Sequence, residues 1–341
     1  MAEITWKSIL TKLVGGDHLS AEESEWFVDD LMQGNADPAA VGAALAMQEQ
    51  LGLTADEVCG AAKAMVSHAV PLNVSGGTTD IVGTGGDGFA TVNLSTMGSV
   101  AAAAAGVKIV KHGNRAASSK CGAADVLEDL GLPMDLKPEA VGEIGDEVGI
   151  TFAFARTFHP AMRFVGPIRA ALGIPCVFNI LGPLGNPAGA TMQLMGVYEE
   201  KLVEPMAKVL SNLGVKRGAV VYGMDGLDEI TACDRTLVCE FKNGLFQKYL
   251  LDPRDYGMEL AHPGDLKGGD SRENAEITRA VLSGEKGPKR NAVLLNAGMS
   301  FHLAEGMSLA EGIQKAADLI DSGKALAFME RFIRLSREAA Q

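Results

Sequence analysis

The stretch Asp80-Ile-Val-Gly-Thr-Gly-Gly-Asp-Gly88 marks a change in the pattern of the chain. A short apolar run leads into four glycines within six positions, and an alanine-rich helical segment follows. Beyond it, short apolar runs keep alternating with glycine-rich turns and helical segments. This alternation is typical of an α/β domain with a largely parallel sheet.

The elements of this domain are predicted from hydrophobic periodicity. The expected strands are residues 80–82, 107–110, 151–154, 192–197, 219–222 and 292–295. The expected helices between them include residues 97–105, 123–130, 201–213 and 273–282. A hairpin that turns at Asn243-Gly244 is expected over residues 237–251, and helical structure over residues 309–339.

The residues before the glycine-rich stretch have the pattern of consecutive helices. Ser20 with Glu23, and Thr54 with Glu57, fit the capping box that opens a helix. A segment that contains Gly76-Gly77 is typical of a linker. The sequence therefore predicts a small all-helical domain over residues 1–72 and an α/β domain over residues 78–341.

Composition and charge argue against several classes of function. The 341 residues are 47% hydrophobic, enough for about two packed domains, and only 5% are aromatic, too few for a stacking platform for single-stranded nucleic acid. Thirty basic against 43 acidic residues give a net charge of -13, which disfavours binding to nucleic acid or to an anionic membrane. No apolar stretch is long enough to span a membrane. Five scattered cysteines without a CxxC pair favour a reducing cytoplasm.

The glycine-rich stretch matches GxGxxG, the fingerprint of dinucleotide-binding folds. That fingerprint requires a helix directly at the third glycine and an acidic residue about twenty positions later. Here residues 89–93 separate the glycines from the helix, and the later position holds the basic residues Lys108 and Lys111. A nicotinamide or flavin cofactor is therefore not expected. The exposed backbone N–H groups of such a loop suit a phosphate instead.

Two polar clusters follow the glycine loop. Asn93, Ser95 and Thr96 stand at the start of the next helix, where hydroxyls and free amides form an anion site. The alternative is that Ser95 serves only as an N-cap. The stretch Lys111-His-Gly-Asn-Arg115 follows the next strand, and ligands bind where parallel strands end. A solvated basic turn is the alternative interpretation there.

Two later segments carry chemistry of another kind. Asp228 and Glu229 are adjacent carboxylates, and Mg²⁺ binds such groups together with substrate phosphates. The alternative is an acidic turn on the surface. Arg163 and Arg169 lie six apart on a predicted helix, and one of them can orient a carboxylate bidentately, whereas His159 is expected to be structural. The residues therefore predict a phosphate-rich, metal-bound substrate and a second substrate that bears a carboxylate.

Short segments spread over nearly the whole chain resemble the anthranilate phosphoribosyltransferase family in their order and spacing. They are residues 83–87 (GTGGD), 93–96 (NLST), 111–115 (KHGNR), 118–119 (SS), 124–128 (ADVLE), 159–162 (HPAM), 179–187, 226–229 (GLDE) and 273–275 (ENA). The chain departs from the family pattern at a few positions. Ala123 stands where serine is frequent, Arg156 where proline is frequent, Gly185 replaces a threonine, and Tyr222-Gly223 replaces Val-His.

The resemblance implies a nucleoside phosphorylase-like phosphoribosyltransferase fold, in a homodimer joined through the helical domain and part of residues 165–190. It implies transfer of a phosphoribosyl group from phosphoribosyl pyrophosphate (PRPP) to the amine of anthranilate in tryptophan biosynthesis, with two Mg²⁺ ions per subunit. Neither nucleic acid nor a membrane is an expected partner. The rival interpretations are a pyrimidine nucleoside phosphorylase, which usually has a longer chain, and a non-catalytic family member that binds nucleic acid.

By position, the resemblance also assigns residues to roles. PRPP would be bound by Gly83, Gly86, Asp87, Thr91, Asn93, Ser95, Thr96, Lys111, Ser119 and Ala123. Magnesium would be held by Ser95, Asp228 and Glu229, and anthranilate by Gly83, Asn114 and Arg169. Lys111 would neutralise charge on the leaving pyrophosphate, and His112 would orient a group or accept a proton. The amine is a free nucleophile, so a strong general base is not expected.

Overall fold

The computed structural model describes residues 3–116 and 120–341, and it begins with four consecutive helices. They are α1 (Trp6–Val14), α2 (Ala21–Gln33), α3 (Pro38–Leu51) and α4 (Ala55–Ser67). Both predicted capping boxes are confirmed, because the Ser20 and Thr54 hydroxyls accept the backbone N–H groups of Glu23 and Glu57. These bonds satisfy amides that the first turn of a helix leaves free.

A seven-stranded sheet forms the centre of the rest of the chain. Its strands are β1 (Thr79–Gly83), β2 (Ile109–Gly113), β3 (Ile150–Phe154), β4 (Met192–Gly196), β5 (Arg217–Gly223), β6 (Thr236–Lys242) and β7 (Leu245–Leu251). The order is β3-β2-β1-β4-β5-β6-β7. The first five strands pair in parallel, and β6 pairs antiparallel with both β5 and β7. The chain order reverses between β1 and β4, and such sheets bind ligands at this reversal, outside the carboxyl ends of the strands.

Helices cover both faces of the sheet. They are α5 (Leu94–Ala104), α6 (Ala123–Leu130), α7 (Pro138–Val148), α8 (Ala155–Phe158), α9 (Met162–Leu172), α10 (Phe178–Leu181), α11 (Val203–Asn212), α12 (Ser271–Leu282), α13 (Pro288–Glu305), α14 (Leu309–Asp321) and α15 (Lys324–Ala339). Leu194 of β4 points into a core shared with α5, α13 and α15. Its neighbour Met195 points into a second core that joins α11 to the N-terminal helices. Successive strand residues face opposite sides, so one sheet supports both cores.

The predicted strand at residues 292–295 is wrong, because these residues lie within α13. An apolar run that is buried on every side has the same composition in a central strand and in a buried helix. Most of the 18 residues of α13 are buried, and only its length distinguishes it from a strand. The other predicted strands and the hairpin are confirmed, with the second strand beginning at Ile109. Asn243 (φ 49°) and Gly244 (φ 80°) form the hairpin turn.

None of the described helices combines the length and the apolar composition needed to cross a lipid bilayer. All five cysteines are free thiols, and four of them are buried. The fold therefore depends on its apolar cores rather than on disulfide bonds.

Candidate active site

The glycine loop after β1 folds directly over the acidic pair, Asp228 and Glu229. Gly85, Gly86 and Gly88 have φ angles of 67°, 81° and 75°, which glycine adopts without strain and other residues rarely adopt. The Gly85 N–H donates to Oδ2 of Asp228 at 2.6 Å. The loop therefore brings backbone N–H groups and carboxylates together at the carboxyl end of β1.

The backbone at Asp228 lies so close to the ends of β1 and β4 that both strands need glycine there. A Cβ at Gly83, the last residue of β1, would collide with the Asp228 carboxylate. A Cβ at Gly196, the last residue of β4, would collide with the Asp228 backbone carbonyl. The two glycines thus let the connection between β5 and β6 lie across the reversal point of the sheet.

The acidic pair is enclosed rather than placed on a surface turn. Asp228 is buried, and burial together with the charge of Asp87 raises its pKa to about 7. Burial and the charge of Asp228 raise the pKa of Glu229 to about 8. Oε1 of Glu229 accepts the Ser95 N–H at 3.2 Å, but its buried Oε2 has no partner among the described residues. Carboxylates that repel each other and leave an oxygen unpaired suit a divalent cation.

Ser95 and Lys111 reach the acidic pair from two other elements. Ser95 lies in the first turn of α5, and the N-cap of that helix is Asn93, so the alternative of Ser95 as N-cap is wrong. Nζ of Lys111 donates to the Ile81 carbonyl at 2.7 Å and to Oγ of Ser95 at 3.1 Å. Burial lowers the pKa of Lys111, and the surrounding carboxylates oppose that change. The Ser95 hydroxyl and the Lys111 ammonium therefore lie beside the carboxylates of the acidic pair.

This cluster supplies only part of a metal site. Within residues 3–116 and 120–341, no group of three or more His, Cys, Asp or Glu side chains has the geometry to hold a metal ion. The acidic pair and the Ser95 hydroxyl offer hard oxygen ligands from one side. Mg²⁺ is commonly held in this way, by one or two carboxylates with substrate phosphates and waters completing its shell.

The cluster lies where β1 and β2 separate. These two strands share a single register pair, Thr79 with Ile109, whereas β1 and β4 stay paired along their whole length. Beyond that pair, Oδ1 of Asp80 accepts the His112 N–H at 3.2 Å, in the place of a backbone carbonyl. The Asp80 side chain thus takes the place of a backbone partner in the hydrogen-bond ladder between β1 and β2, and the two strands separate toward their carboxyl ends.

Asp80 and Asn186 are site residues that the sequence analysis missed. Nδ2 of Asn186 donates to Oδ2 of Asp80 at 2.9 Å and to the Val110 carbonyl at 2.8 Å. Burial raises the pKa of Asp80 to about 6, against the opposing charge of Lys111. The signal that could have found Asp80 is a carboxylate inside an apolar strand, because such a group is buried only with partners.

His112 is buried as a neutral imidazole. Its Nδ1 lies 3.0 Å from the Gly182 carbonyl, which can only accept a hydrogen bond, so Nδ1 carries the proton. Nε2 is buried and has no partner within the described part of the chain. Burial and the neighbouring His159, whose ring centroid lies 5.1 Å away, lower the pKa of His112 to about 3. His112 therefore offers a free acceptor rather than a charge.

We expect His112 to stay neutral where ordinary histidines titrate. Long-range ¹H–¹⁵N spectra should contain one imidazole that is lost in His112→Gln and keeps its Nδ1–H tautomer from about pH 8 to about pH 5. The physical reason is that a second proton would place an unpartnered charge in the interior. Double protonation of this ring near about pH 6.5 would contradict the buried environment of Nε2.

The predicted PRPP residues at the start of α5 are held by a segment that the sequence analysis did not place in the site. Thr91 forms an isolated antiparallel bridge with Lys267. Nδ2 of Asn274, in the first turns of α12, donates to Oδ1 of Asn93 at 3.2 Å. Residues 267–274 therefore fix Thr91 and Asn93 beside the glycine loop.

The remaining predicted PRPP residues differ in their surroundings. Asp87 lies close to Asp228, and burial raises its pKa. Thr96 is buried, and its hydroxyl has no hydrogen-bond partner among the residues that the structure describes. Ala123 is the first residue of α6. Ser119 lies outside the described residues.

Comparisons with known proteins agree with this geometry. A family model described as the glycosyl transferase family a/b domain matches residues 75–326, and the helical bundle domain of the same family matches residues 7–69. Anthranilate phosphoribosyltransferase from Methanobrevibacter smithii is 48% identical over 96% of this chain and 98% of its own. The chain belongs to the anthranilate phosphoribosyltransferase family.

Solved structures of the anthranilate phosphoribosyltransferase family have the same fold. The protein from Thermus thermophilus superposes with a TM-score of 0.91 at 43% identity, over 96% of this chain and 99% of that one. The protein from Saccharomyces cerevisiae, solved in complex with PRPP and Mg, superposes with a TM-score of 0.90 at 31% identity, over 99% of both chains. The predicted fold class, a helical N-terminal domain followed by a largely parallel α/β domain, is therefore confirmed.

Of the residues that the family resemblance assigns to anthranilate, Gly83 adjoins the Asp228 carboxylate, whereas Asn114 and Arg169 lie on other parts of the fold. Asn114 is exposed after β2, and its Oδ1 accepts the Arg115 N–H at 2.8 Å. Arg169 lies on α9, with Nη2 at 3.4 Å from Oδ1 of Asn179. Within residues 3–116 and 120–341, no carboxylate lies at ion-pair distance from Arg169, so its guanidinium is available to a carboxylate ligand.

One departure from the anthranilate phosphoribosyltransferase pattern has a direct structural explanation. A Cβ at Gly185 would collide with the methyl group of Met65, so Met65 occupies the space of the family's threonine side chain. His159, predicted to be a structural residue at a helix start, is buried at the end of α8, and its Nε2 lies 2.8 Å from the Gly185 carbonyl. The glycine at position 185 therefore leaves the acidic pair and the glycine loop unaffected.

Proposed function

We propose that this chain transfers the phosphoribosyl group of PRPP to the amine of anthranilate, which yields N-(5-phosphoribosyl)anthranilate and pyrophosphate in the second step of tryptophan biosynthesis from chorismate. The observation that carries this proposal is the acidic pair beneath a glycine loop, with Ser95 and Lys111 at the same strand ends. Such a site combines a glycine-rich backbone loop with ligands for a hard cation, which a magnesium-bound pyrophosphate requires.

Magnesium would be held by Ser95, Asp228 and Glu229, with two ions per subunit. The raised pKa values of the acidic pair support this assignment, because a bound cation would offset the burial and repulsion that disfavour the two charges. When bound, Mg²⁺ neutralises negative charge on the pyrophosphate. The second ion rests on the family resemblance, and titration of Mg²⁺ into the PRPP complex would count the ions.

PRPP would lie along the carboxyl ends of β1 and β2. Gly83, Gly86, Asp87, Thr91, Asn93, Ser95, Thr96, Lys111, Ser119 and Ala123 are the residues proposed to bind it. Asp80 and Asn186 bridge β1 and β2 where their backbone pairing ends, and they fix the strand ends against which this substrate would lie. The N-terminal end of α5 adds a favourable dipole for phosphate groups.

The reaction depends on positioning more than on a strong base. The bond from C1 to pyrophosphate breaks, the bond from C1 to the amine forms, and the amine loses one proton. Lys111 stabilises the charge that develops on the leaving group. An arylammonium is acidic and releases its proton without a strong base, and the buried, neutral His112 would orient a neighbouring group. Holding the amine in line with C1 is worth up to about 7–11 kcal/mol.

Anthranilate would be bound by Gly83, Asn114 and Arg169. The guanidinium of Arg169 presents a planar fork that matches a carboxylate. The side-chain amide of Asn114 is exposed beside the proposed PRPP site and can donate a second hydrogen bond. This arrangement would leave the anthranilate amine free to face C1 of PRPP.

We also propose a homodimer, joined through residues 1–72 and part of residues 165–190, in the cytoplasm. Support comes from an apolar groove where α9 meets α2 and α3, lined by Leu31, Pro38, Phe164, Ile168 and Leu172. The five free cysteines suit a reducing compartment. A sedimentation mass of twice the chain's 35.6 kDa would support the dimer.

The test of the proposed function is the loss of anthranilate fluorescence after PRPP is added. We expect the fluorescence to fall only in the presence of Mg²⁺, and EDTA to stop the reaction. No fall with folded protein would contradict the proposal. Phosphorolysis of thymidine or uridine under the same conditions would then favour the pyrimidine nucleoside phosphorylase alternative, and retention on nucleic acid would favour the non-catalytic one.

A further inference from the structure

Asn296 is a buried polar residue in the middle of α13, the helix that the sequence analysis took for a strand. Its neighbours on the helix are apolar, and it lies far along the chain from every residue assigned to the site. A buried amide needs hydrogen-bond partners for both its oxygen and its nitrogen. Those partners identify what Asn296 does.

The side chain of Asn296 forms a two-point clamp on the peptide backbone of Ile230. Oδ1 of Asn296 accepts the Ile230 N–H at 3.2 Å. Nδ2 donates to the Ile230 carbonyl at 2.8 Å and to the Ala292 carbonyl of its own helix at 2.9 Å. A side-chain amide both donates and accepts hydrogen bonds, as the backbone of a neighbouring strand does. The Asn296 amide therefore bonds both the N–H and the carbonyl of Ile230, which lies outside the strands of the sheet.

The clamped residue directly follows the acidic pair. Ile230 is buried, so its N–H and carbonyl have no access to water if the amide is removed. The position of Ile230 sets the direction in which Glu229 leaves the backbone, and Oε1 of Glu229 reaches the Ser95 N–H at 3.2 Å. The clamp therefore acts on the orientation of the acidic pair without touching a ligand.

Asn296 also lies beside the helix that carries the third proposed magnesium ligand. A Cβ built on Gly98 of α5 would lie 3.6 Å from Cβ of Asn296, so α5 and α13 pack closely at this point. Ser95 lies on the preceding turn of α5. Asn296 thus lies between the helix of Ser95 and the backbone that follows the acidic pair.

We propose that Asn296 is a positioning residue that sets the geometry of Ser95, Asp228 and Glu229 for magnesium-bound PRPP. This inference rests on the proposed function. It assigns Asn296 no contact with substrate or metal, and its effect passes through the Ile230 backbone. Residues that orient metal ligands in this way typically alter metal affinity by about 10–100-fold when they are replaced.

The test replaces Asn296 with leucine, which keeps the volume and removes every hydrogen bond to Ile230. We expect Asn296→Leu to raise the dissociation constant of PRPP, measured by calorimetry at fixed Mg²⁺ without anthranilate, by about tenfold or more. The Mg²⁺ concentration for half-maximal rate and the PRPP KM should rise in parallel, with the anthranilate KM nearly unchanged. Hydrogen–deuterium exchange of the peptide that contains Ile230 should become faster in this variant, and this measurement requires no substrate.

Leu303→Ala is the matched control, because it removes buried side-chain volume from the same helix away from Ile230. It should lower the melting temperature without changing PRPP affinity or the exchange of the Ile230 peptide. If Asn296→Leu does not fold, Asn296→Asp keeps an acceptor for the Ile230 N–H and should give a smaller change in the same direction. Equal effects of Leu303→Ala and an Asn296 variant on PRPP affinity would overturn the proposal.

The outcomes separate this inference from the function on which it rests. Wild-type protein that binds no magnesium-bound PRPP would overturn both together. Wild-type protein that binds PRPP, with an Asn296 variant whose PRPP affinity stays within about twofold, would overturn the positioning role alone. An unchanged exchange rate of the Ile230 peptide in that variant would contradict the clamp itself.

Discussion

Replacing Asp228 with asparagine and Glu229 with glutamine together should abolish magnesium-dependent turnover. We expect the rate to fall at least about a thousandfold, roughly 4 kcal/mol of transition-state stabilisation, because charge on the leaving pyrophosphate would lose its counterion. The measurement is the rate of anthranilate fluorescence loss across a Mg²⁺ titration. Asp234→Asn, an exposed carboxylate in the same connection, should leave the rate unchanged.

The double variant should remain folded, which separates a catalytic from a structural effect. Asparagine and glutamine keep the carbonyl oxygens that accept the N–H groups of Gly85 and Ser95. They also remove two buried charges, whose burial and repulsion raise both carboxyl pKa values, so the melting temperature should not fall. A folded double variant with unchanged dependence on Mg²⁺ would show that the acidic pair holds no metal.

Arg169→Ala should raise the KM for anthranilate far more than the KM for PRPP. We expect an increase of about thirtyfold or more, since a charge-assisted bidentate pair is worth about 2 kcal/mol or more. The fold should tolerate the change, because the guanidinium makes one long hydrogen bond, to Asn179, within the described residues. Steady-state kinetics with each substrate varied in turn give the two constants.

Arg163→Ala is the matched control for that experiment. Arg163 lies six residues earlier on α9, and its guanidinium stacks 4.6 Å from the ring centroid of Phe164. Its loss removes the same charge from the same helix, so it should change neither KM by much. Equal effects of Arg169→Ala on the two substrates would refute the assignment of Arg169 to anthranilate.

Local sequence patterns predicted the elements that carry their own signals. The capping boxes at Ser20 and Thr54, the turn at Asn243-Gly244 and the glycine loop after β1 are short, and each depends on residues next to one another in the chain. The strand assigned to residues 292–295 failed because apolar composition does not distinguish a central strand from a helix that is buried all round.

The supporting residues of the site depend on distant parts of the chain. Asp80 pairs with Asn186, Asn93 with Asn274, and Ile230 with Asn296. Each pair joins residues that neither motif spacing nor periodicity connects, and each forms only when the sheet and helices have packed. The sequence contained one signal, the carboxylate of Asp80 within the apolar run of β1, but no sequence pattern identified Asn186 as its partner.

By itself, the sequence determined the fold class, the glycine loop and the residue types of a site for a phosphate-rich substrate. Glycines, caps and apolar periodicity act over a few residues, so they can be recognised before the chain is folded. Only the tertiary structure decided that β1 and β2 separate and that Asn296 holds the backbone beside Glu229. It also decided that one oxygen of Glu229 is buried without a partner among the described residues. Burial and hydrogen-bond partners are properties of the packed molecule, and they turn separate motifs into one site.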